Sequence, residues 1–289
     1  MKRPTIQQIL DKDHLIIDDR FGSPQNDIEE ILLWVTKWNY EQLLQHQNKR
    51  LSFTQYLRYI LALGKRKRGM PIAYITGYKD FGGRRFMVNR HTLIPRADTL
   101  VVVEYARRFC VEHGITNIIE IGVGSGALIT TLTLELHNPS MTFIGTDISQ
   151  DTLKVARKNA KTHGASISFV YNNLLDNAEN FIPSTKYIII SNPPYVATAD
   201  LNEPSIAYEP KLALDGGADG MKYYEELLKQ ISTLTHKPEA VFFEIGFNQA
   251  QLISQLTKKY LPTADILIRK DLNSLDRVAL IQMNPSQQH

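Results

Sequence analysis

The sequence predicts an α/β protein in which a doubly wound sheet follows a smaller helical region. From residue 116 onward, short apolar segments of strand length alternate with amphipathic helical segments, which is typical of successive strand–helix–strand units. Before residue 64, apolar residues recur at helical spacing instead. A glycine-rich turn joins the first strand of the second region to a helix, as in α/β folds that bind nucleotides.

The first 64 residues predict a small helical domain. Ile28, Ile31 and Leu32 fall on one face of a helix that we expect to begin at Asn26 or Asp27. Because glycine often follows the end of a helix, Gly64 is expected to end the last helix of this domain.

A linker with a β-hairpin is predicted at 65–90. It opens with a run of basic residues at 65–68, which we expect to be a solvated connector. Aromatic and polar residues then alternate around the adjacent glycines Gly82 and Gly83. This alternation around a glycine turn predicts a β-hairpin.

The third region, 91–289, carries the alternating pattern. A helix is predicted at 100–111. Seven strands are predicted at 117–121, 141–146, 167–171, 187–191, 240–245, 266–269 and 278–282. Four further helices are predicted at 127–136, 151–163, 222–234 and 248–258.

Composition excludes several classes of protein. Of 289 residues, 43% are hydrophobic and 22% charged, which is the balance of a soluble globular protein. The net charge of +3 is too small to predict a nucleic-acid partner. The single cysteine, Cys110, rules out a disulfide within a monomer and a cysteine-based zinc site. The chain has no signal-like or membrane-spanning apolar run, so it is expected to be cytoplasmic. It is also expected to be a monomer and to bind no metal.

A cofactor site is predicted where strand 117–121 meets the turn Gly122-Val123-Gly124-Ser125-Gly126. Glycines let the backbone turn sharply and approach a ligand, and the following helix adds unpaired N–H donors. An acidic residue, Asp147, stands about 20 residues on at the end of the next strand, where it would accept from both ribose hydroxyls.

The spacing of the glycines favours S-adenosylmethionine over a dinucleotide. Dinucleotide folds carry G-x-G-x-x-G, whose helix cradles a pyrophosphate. Here G-x-G-x-G follows Glu120, and a carboxylate at that position would repel a pyrophosphate but suit the ammonium of a methionine group. After the next strand, we expect the Asn173 carbonyl to accept from the adenine amino group and Leu174 to pack on the ring; Asn172-Asn173 alone is also a common turn pair.

The catalytic and substrate-binding residues are predicted to be Asn192, Pro193, Pro194 and Tyr195, after an apolar strand at the same sheet edge. Two prolines remove two N–H donors and stiffen the loop, which leaves carbonyl acceptors beside the Asn192 side-chain oxygen. Such acceptors suit an NH2 group. We expect Tyr195 to wall the planar group.

This chemistry suits a poorly nucleophilic nitrogen. Accepting both N–H bonds of an amide or an exocyclic amine would orient the nitrogen towards the sulfonium methyl and stabilise the charge that develops on it. The residues do not distinguish a protein amide from a nucleobase amine.

The chain resembles the HemK/PrmC family of release-factor glutamine methyltransferases over nearly its whole length. The resemblance rests on residues 71–77, 81–82, 93–96, 122–126, 191–195, 208–210, 213–214, 244–246 and 276–278. It implies a helical N-terminal domain that engages the substrate, a hairpin linker and a Rossmann-like methyltransferase domain. It also implies that residues 122–126, Asp147 and Leu174 contact S-adenosylmethionine, which becomes S-adenosylhomocysteine, and that residues 192–195 hold the substrate glutamine.

The substrate implied by the resemblance is the glutamine of the Gly-Gly-Gln motif in class I peptide-chain release factors, methylated on its side-chain nitrogen, N5. Five positions depart from the family pattern: Glu120 and Asn173 replace aspartates, Val123 a threonine, and Met70 and Leu100 glutamates. None lies in 192–195, so we expect activity.

Two alternatives remain. A nucleic-acid methyltransferase acting on adenine or guanine amines would use the same four residues, but it would need a basic groove with stacking aromatics. A cofactor-binding protein without activity would fit the departures around the cofactor loop.

Overall fold

The computed structural model describes residues 3–18, 23–204 and 206–284. They form two compact units: a helical unit within Met1–Tyr78 that includes Asn202–Tyr208, and a larger unit within Lys79–Leu201 and Glu209–His289. The three-part division predicted from the sequence, into 1–64, 65–90 and 91–289, stays a prediction.

The helical unit contains five α-helices: α1 Ile6–Lys12, α2 Pro24–Thr36, α3 Tyr40–Gln45, α4 Phe53–Lys67 and α5 Ile72–Thr76. Three of them start with a capping box, in which Thr5, Asn39 or Ser52 accepts from a backbone N–H and a glutamine three residues on bonds back. These reciprocal bonds satisfy donors that a helix start otherwise leaves unpaired.

Two predicted helix ends in this unit are wrong. Helix α2 begins at Pro24, after Ser23, because proline fits the first helical turn. Helix α4 passes through Gly64 and ends at Lys67. The run that begins at Lys65 is therefore partly helix, and Arg66 within it is 3% exposed and donates to Asp27 at 2.6 Å. This buried ion pair holds the last turn, while a helical glycine costs only about 1 kcal/mol.

The predicted hairpin is formed by β1 Tyr78–Phe81 and β2 Arg84–Met87, and α6 Leu100–His113 follows it. The seven strands of the main sheet in the larger unit are β3 Asn117–Ile121, β4 Thr142–Asp147, β5 Ser168–Tyr171, β6 Tyr187–Ser191, β7 Ala240–Glu244, β8 Asp265–Lys270 and β9 Asp276–Gln282. The helices α7 Ala127–Leu136, α8 Gln150–His163, α9 Lys222–Thr233 and α10 Ala250–Tyr260 connect them. The predicted α/β pattern is confirmed.

These seven strands form one sheet in the order β5-β4-β3-β6-β7-β9-β8, in which β9 runs opposite to the other six strands. Alternate residues face opposite sides: Ile118 belongs to the core beneath α6, α7 and α8, and Ile119 to the core beneath α9 and α10. Within the described residues, no helix is long and apolar enough to cross a membrane.

The connections reverse direction at β3. The chain leaves β3 towards β4 and β5, and later returns to the other side of β3 with β6. In open α/β sheets, ligands bind outside the carboxyl ends of the strands at such a point. The glycine loop (residues 122–126) follows β3, and the Pro-Pro loop (residues 192–195) follows β6. These two strands are neighbours at the point of reversal.

Candidate active site

A cavity of about 360 Å³ lies at the carboxyl ends of β3, β4 and β6. Its volume falls in the range of about 300–1,000 Å³ that is usual for small-molecule sites. The predicted residues that line it are Glu120, Gly122, Val123, Gly124, Ser125, Asp147, Asn173, Leu174, Asn192, Pro193 and Pro194. The structure therefore brings predicted residues from several separate segments to one cavity.

The glycine loop is folded tightly against β4. The N–H groups of Gly122 and Val123 both donate to the Thr146 carbonyl at 2.9 Å. Gly122, Gly124 and Gly126 all have positive φ, a region that favours glycine. Gly126 does not line the cavity. It caps the start of α7, and a Cβ at this position would lie 3.1 Å from the Cβ of Ala156, so a glycine here allows close packing against α8.

Glu120 lies beneath the glycine loop and is 2% exposed. Its Oε2 accepts from the N–H of Ile129 at 3.1 Å, in the first turn of α7, where Gly126 offers no side-chain cap. Burial raises the pKa of Glu120 well above its usual value, and nearby Asp147 adds to this. A cation bound in the cavity would favour the ionised form of this carboxyl.

Asp147 ends β4 and faces the cavity with both carboxylate oxygens fixed. Oδ2 accepts from the N–H of Gly124 at 3.1 Å and Oδ1 from the N–H of Ser149 at 2.9 Å. Burial raises the pKa of Asp147 above its usual value, and these two hydrogen bonds offset only part of that increase. Since each oxygen can accept a second bond, the carboxylate can still receive two hydroxyl donors.

The loop after β5 brings Asn173 and Leu174 to the cavity. The Nδ2 group of Asn173 donates to Asp176 at 2.9 Å, which settles the direction of its amide and leaves Oδ1 as its acceptor. Leu174 has φ +48, and Asn172 donates to its carbonyl at 3.0 Å. An aspartate at 173 would face Asp176 with like charge, so the asparagine suits this local arrangement.

The Pro-Pro loop is held from behind. The Ser191 hydroxyl donates to the Ile121 carbonyl at 2.7 Å and joins the ends of β6 and β3. Gln249 donates to the Tyr195 carbonyl at 3.0 Å. A Cβ on Gly220 would lie only 2.3 Å from that carbonyl oxygen, and one on Gly216 only 2.7 Å from the carbonyl of Pro194. Only glycine permits these approaches, and they hold the loop closely against the segment 216–220.

Asn192 and Pro193 both line the cavity. The side-chain Oδ1 of Asn192 and the backbone carbonyl of Pro193 are acceptors that these residues can offer to a ligand. An NH2 group that donated to both would be fixed in position and direction.

Tyr195 does not line the cavity, so the role predicted for its ring, to wall the substrate, stays a prediction. Its hydroxyl donates to Oε1 of Glu244 at 3.4 Å, and burial raises the pKa of its phenol. The ring turns under the loop because its hydroxyl finds a buried partner there. Tyr223 of α9 lines the cavity instead.

Several lining residues were not predicted. Leu93, Pro95, Arg96 and Thr99 come from the segment before α6. Arg96 pairs with the carboxylate of Glu209, which also accepts from the N–H of Ile94 at 2.9 Å. The family-like segments 93–96 and 208–210 were the available signal, although nothing in the sequence showed that they meet.

The departures near the cofactor loop have local explanations. Val123 is 4% exposed, and its Cγ1 fills the space above Gly145, where a Cβ would lie 2.6 Å away. Leu100 packs against the apolar core. Among the described residues, no group of three metal-ligating side chains occurs.

The fold and site define a methyltransferase of the Rossmann-like class. The family model described as "PrmC N-terminal domain" matches residues 17–77, and the one described as "Methyltransferase small domain" matches residues 107–208. The release factor glutamine methyltransferase of Bacillus subtilis is 36% identical over 91% of this chain and 93% of its own length. That of Staphylococcus aureus is 33% identical over 89% and 92%. The chain belongs to the release factor glutamine methyltransferase family.

Solved structures confirm the fold. The N-terminal domain of human METTL16 in complex with SAH aligns with a TM-score of 0.52 at 14% identity, over 88% of this chain and 94% of that one. The catalytic domain of hMettl16 in complex with an RNA hairpin gives a TM-score of 0.56 at 16% identity, over 88% and 91%. The family uses S-adenosylmethionine as methyl donor, and the buried carboxylate, Asp147 and the glycine loop fit that cofactor.

Proposed function

We propose that this chain methylates the side-chain N5 of the glutamine in the Gly-Gly-Gln motif of class I peptide-chain release factors. One observation carries the proposal: Asn192 and Pro193, which can offer a side-chain and a backbone oxygen as acceptors, line the same cavity as the glycine loop. A primary amide offers two N–H donors to match them. Membership of the family, whose members are named for this substrate, supports the choice of glutamine over a nucleobase.

The cofactor half of the site would bind by complementary charge. Glu120 would face the ammonium of the methionine group, Asp147 would accept from the ribose hydroxyls, and Asn173 with Leu174 would hold the adenine. When bound, the cofactor supplies a methyl group activated by its positive sulfur.

The substrate half would orient the nitrogen. Asn192 Oδ1 and the Pro193 carbonyl would accept the two N–H bonds, which aims the nitrogen lone pair at the methyl group. Methyl transfer from the sulfonium would leave the S–C electron pair on sulfur and place positive charge on the substrate nitrogen. Asn192 Oδ1 and the Pro193 carbonyl would stabilise that charge, and the nitrogen would then lose a proton to water. Prolines 193 and 194 supply rigidity, so no loop reorganisation opposes the step.

The helical unit would contact the release factor. Its helix α4 exposes a row of apolar side chains at helical spacing, Phe53, Leu57 and Leu61, which are 72%, 51% and 59% exposed. Exposed apolar rows of this kind mark protein contacts. We also propose the domain division 1–64, 65–90 and 91–289, in which the first domain contacts the release factor. The protein would be a cytoplasmic monomer, and its substrate would be a protein and not a nucleic acid.

The test is transfer of label from methyl-labelled S-adenosylmethionine. Unmethylated release factor should accept label, a factor with asparagine in place of the motif glutamine should not, and total RNA should not. Label on RNA with none on the release factor would favour the nucleobase alternative. Equal label on both forms of the factor would place the reaction at another residue and overturn the proposal.

A further inference from the structure

The loop after β5 carries Asn173, the residue proposed to contact the adenine ring of the cofactor. A carboxylate can only accept hydrogen bonds, but an asparagine amide has an acceptor at one end and a two-hydrogen donor at the other. Asn173 could therefore meet the ring with either end. Because the 6-amino group of adenine is a donor, only the Oδ1 end of the amide would match it.

Asp176 selects one of the two amide orientations. Asn173 Nδ2 donates to Asp176 Oδ2 at 2.9 Å, and the N–H of Asp176 donates to the Asn173 carbonyl at 3.0 Å. The two residues thus face each other across one tight turn. In the reversed orientation, Asn173 Oδ1 would oppose Asp176 Oδ2, and neither atom carries a hydrogen to donate. The amide therefore keeps Nδ2 on Asp176 and offers Oδ1 to a ligand of the cavity, which Asn173 lines.

Gln230 of α9 holds the Asp176 carboxylate. Its Nε2 donates to Asp176 Oδ1 at 2.9 Å, and its Oε1 accepts from the N–H of Leu175 at 3.1 Å. A backbone N–H only donates and a carboxylate only accepts, so these two partners allow one orientation of the Gln230 amide. Leu175 is 4% exposed and packs in the core beneath α9. The carboxylate is thus tied to a helix and to a buried part of its own loop.

We propose that Asp176 and Gln230 are positioning residues that fix the Asn173 amide with its oxygen towards the cavity. The site would then select a purine with an amino group at position 6 over one with an oxygen there. Neither Asp176 nor Gln230 lines the cavity, so both act through Asn173. The inference rests on the proposed contact between Asn173 and the adenine ring, and it does not depend on the methyl acceptor.

The chemistry of position 173 makes the proposal specific. An aspartate at this position would need no direction from a neighbour, because both of its oxygens accept. It would, however, face Asp176 with like charge, whereas the amide of Asn173 bonds to Asp176. The asparagine thus combines a stable turn with an acceptor for the ligand only while Asp176 is present. The need for Asp176 should disappear when residue 173 is itself a carboxylate.

The test measures by calorimetry the Kd values of S-adenosylhomocysteine and of S-inosylhomocysteine, in which an oxygen replaces the 6-amino group. In Asp176→Ala the Asn173 amide can turn and donate Nδ2 to that oxygen. We expect the preference for the amino form to fall by about five- to tenfold, the effect of one hydrogen bond. The control Glu179→Ala, which removes an exposed carboxylate of the same segment, should keep the wild-type preference. Equal weakening of both ligands in Asp176→Ala would show that Asp176 only supports the loop, and would overturn the proposal.

Two further variants test the direction of the amide. Adding Asn173→Asp to Asp176→Ala should restore the preference for the amino form, because a carboxylate accepts in every orientation. A double variant that keeps the reduced preference would contradict the proposal. Gln230→Glu keeps an acceptor for the N–H of Leu175 but loses the donor to Asp176, so it should reduce the preference by about two- to threefold. An unchanged preference in Gln230→Glu would overturn the role of Gln230.

Asn173→Ala separates this inference from the proposed adenine contact. It should weaken the binding of S-adenosylhomocysteine more than that of S-inosylhomocysteine. If it does so while Asp176→Ala keeps the wild-type preference, the contact stands and the positioning role fails. If neither variant changes the preference, the contact itself fails. Methylation of the release factor is measured separately, so the proposed substrate stands or falls without reference to these Kd values.

Discussion

The glycine loop and the Pro-Pro loop follow neighbouring parallel strands and face one cavity, yet they offer opposite chemistry. The glycine loop turns backbone N–H groups towards Thr146 and Asp147 and stands beside two carboxylates. The Pro-Pro loop has no N–H at its two prolines and presents oxygens. The first arrangement suits a cationic, hydroxyl-rich cofactor, and the second suits an NH2 substrate.

The loops also differ in what holds them. The glycine loop is fixed within one strand–helix–strand unit, by Thr146 and Asp147 of the next strand. The Pro-Pro loop is held by Gly220 and Gln249, which come later in the chain, and by Thr99, which comes far earlier. The cofactor half is thus a local motif, while the substrate half depends on the whole larger unit.

The largest effect is expected from Asn192→Ala. It removes one of the two acceptors for the substrate NH2, and loss of one such stabilising contact costs about 10²–10³-fold in kcat. The cofactor Kd, measured by calorimetry, should stay near the wild-type value. A variant that keeps its kcat would show that Asn192 does not hold the reacting nitrogen.

Asp147→Asn should act on the other half of the site. Replacing charge-assisted hydrogen bonds, worth about 1.5–3 kcal/mol, with neutral ones should weaken cofactor binding by about 10- to 100-fold. The kcat at saturating cofactor should change little. If kcat fell and Kd did not, the division between the loops would be wrong.

Gly220→Ala tests the support of the Pro-Pro loop, with Gly164→Ala as its matched control. Both glycines have positive φ, +76 and +71, but a Cβ meets the Tyr195 carbonyl at Gly220 and open space at Gly164. Each change should cost stability through the strained φ, about 1–2 kcal/mol. Only Gly220→Ala should lower kcat, by about tenfold for a displacement well under 1 Å. Equal kcat in the two variants would contradict a role for this contact.

The smallest expected effect is the pH dependence of cofactor binding that arises from Glu120. Burial raises the pKa of this carboxyl, and a bound ammonium would lower it again because it favours the ionised form. Cofactor binding should therefore release protons and tighten as pH rises, by less than about tenfold per pH unit because one proton is involved. Calorimetry in buffers with different heats of ionisation measures the release. Glu120→Gln should abolish it, and release that persists in that variant would come from another group.

The sequence predicted most of the sheet because strands in such folds are bounded by local signals. The bounds of β3 and β6 were predicted to the residue, and both active-site loops follow them directly. The predicted ends of α2 and α4 were wrong for a different reason. Arg66 holds the end of α4 through Asp27, a partner 39 residues earlier, and local propensity does not include such a contact.

The same limit applies within the site. Asp147 and the glycine loop were predictable since their partners lie within one structural unit. Tyr195 bonds to Glu244, 49 residues later, and Asn192 bonds to Thr99, 93 residues earlier. A single sequence reveals which residues form the loop, but not which distant side chains direct it.

The most direct test of the central claim is to locate the methyl group on the product. Release factor should be incubated with S-adenosylmethionine and either wild-type protein or Asn192→Ala, digested, and fragmented by tandem mass spectrometry. We predict one methyl group on the side-chain nitrogen of the Gly-Gly-Gln glutamine with the wild type, and strongly reduced methylation with the variant. A methyl group on any other atom, or equal modification by both proteins, would contradict the assignment of the Pro-Pro loop as the site that holds an amide nitrogen.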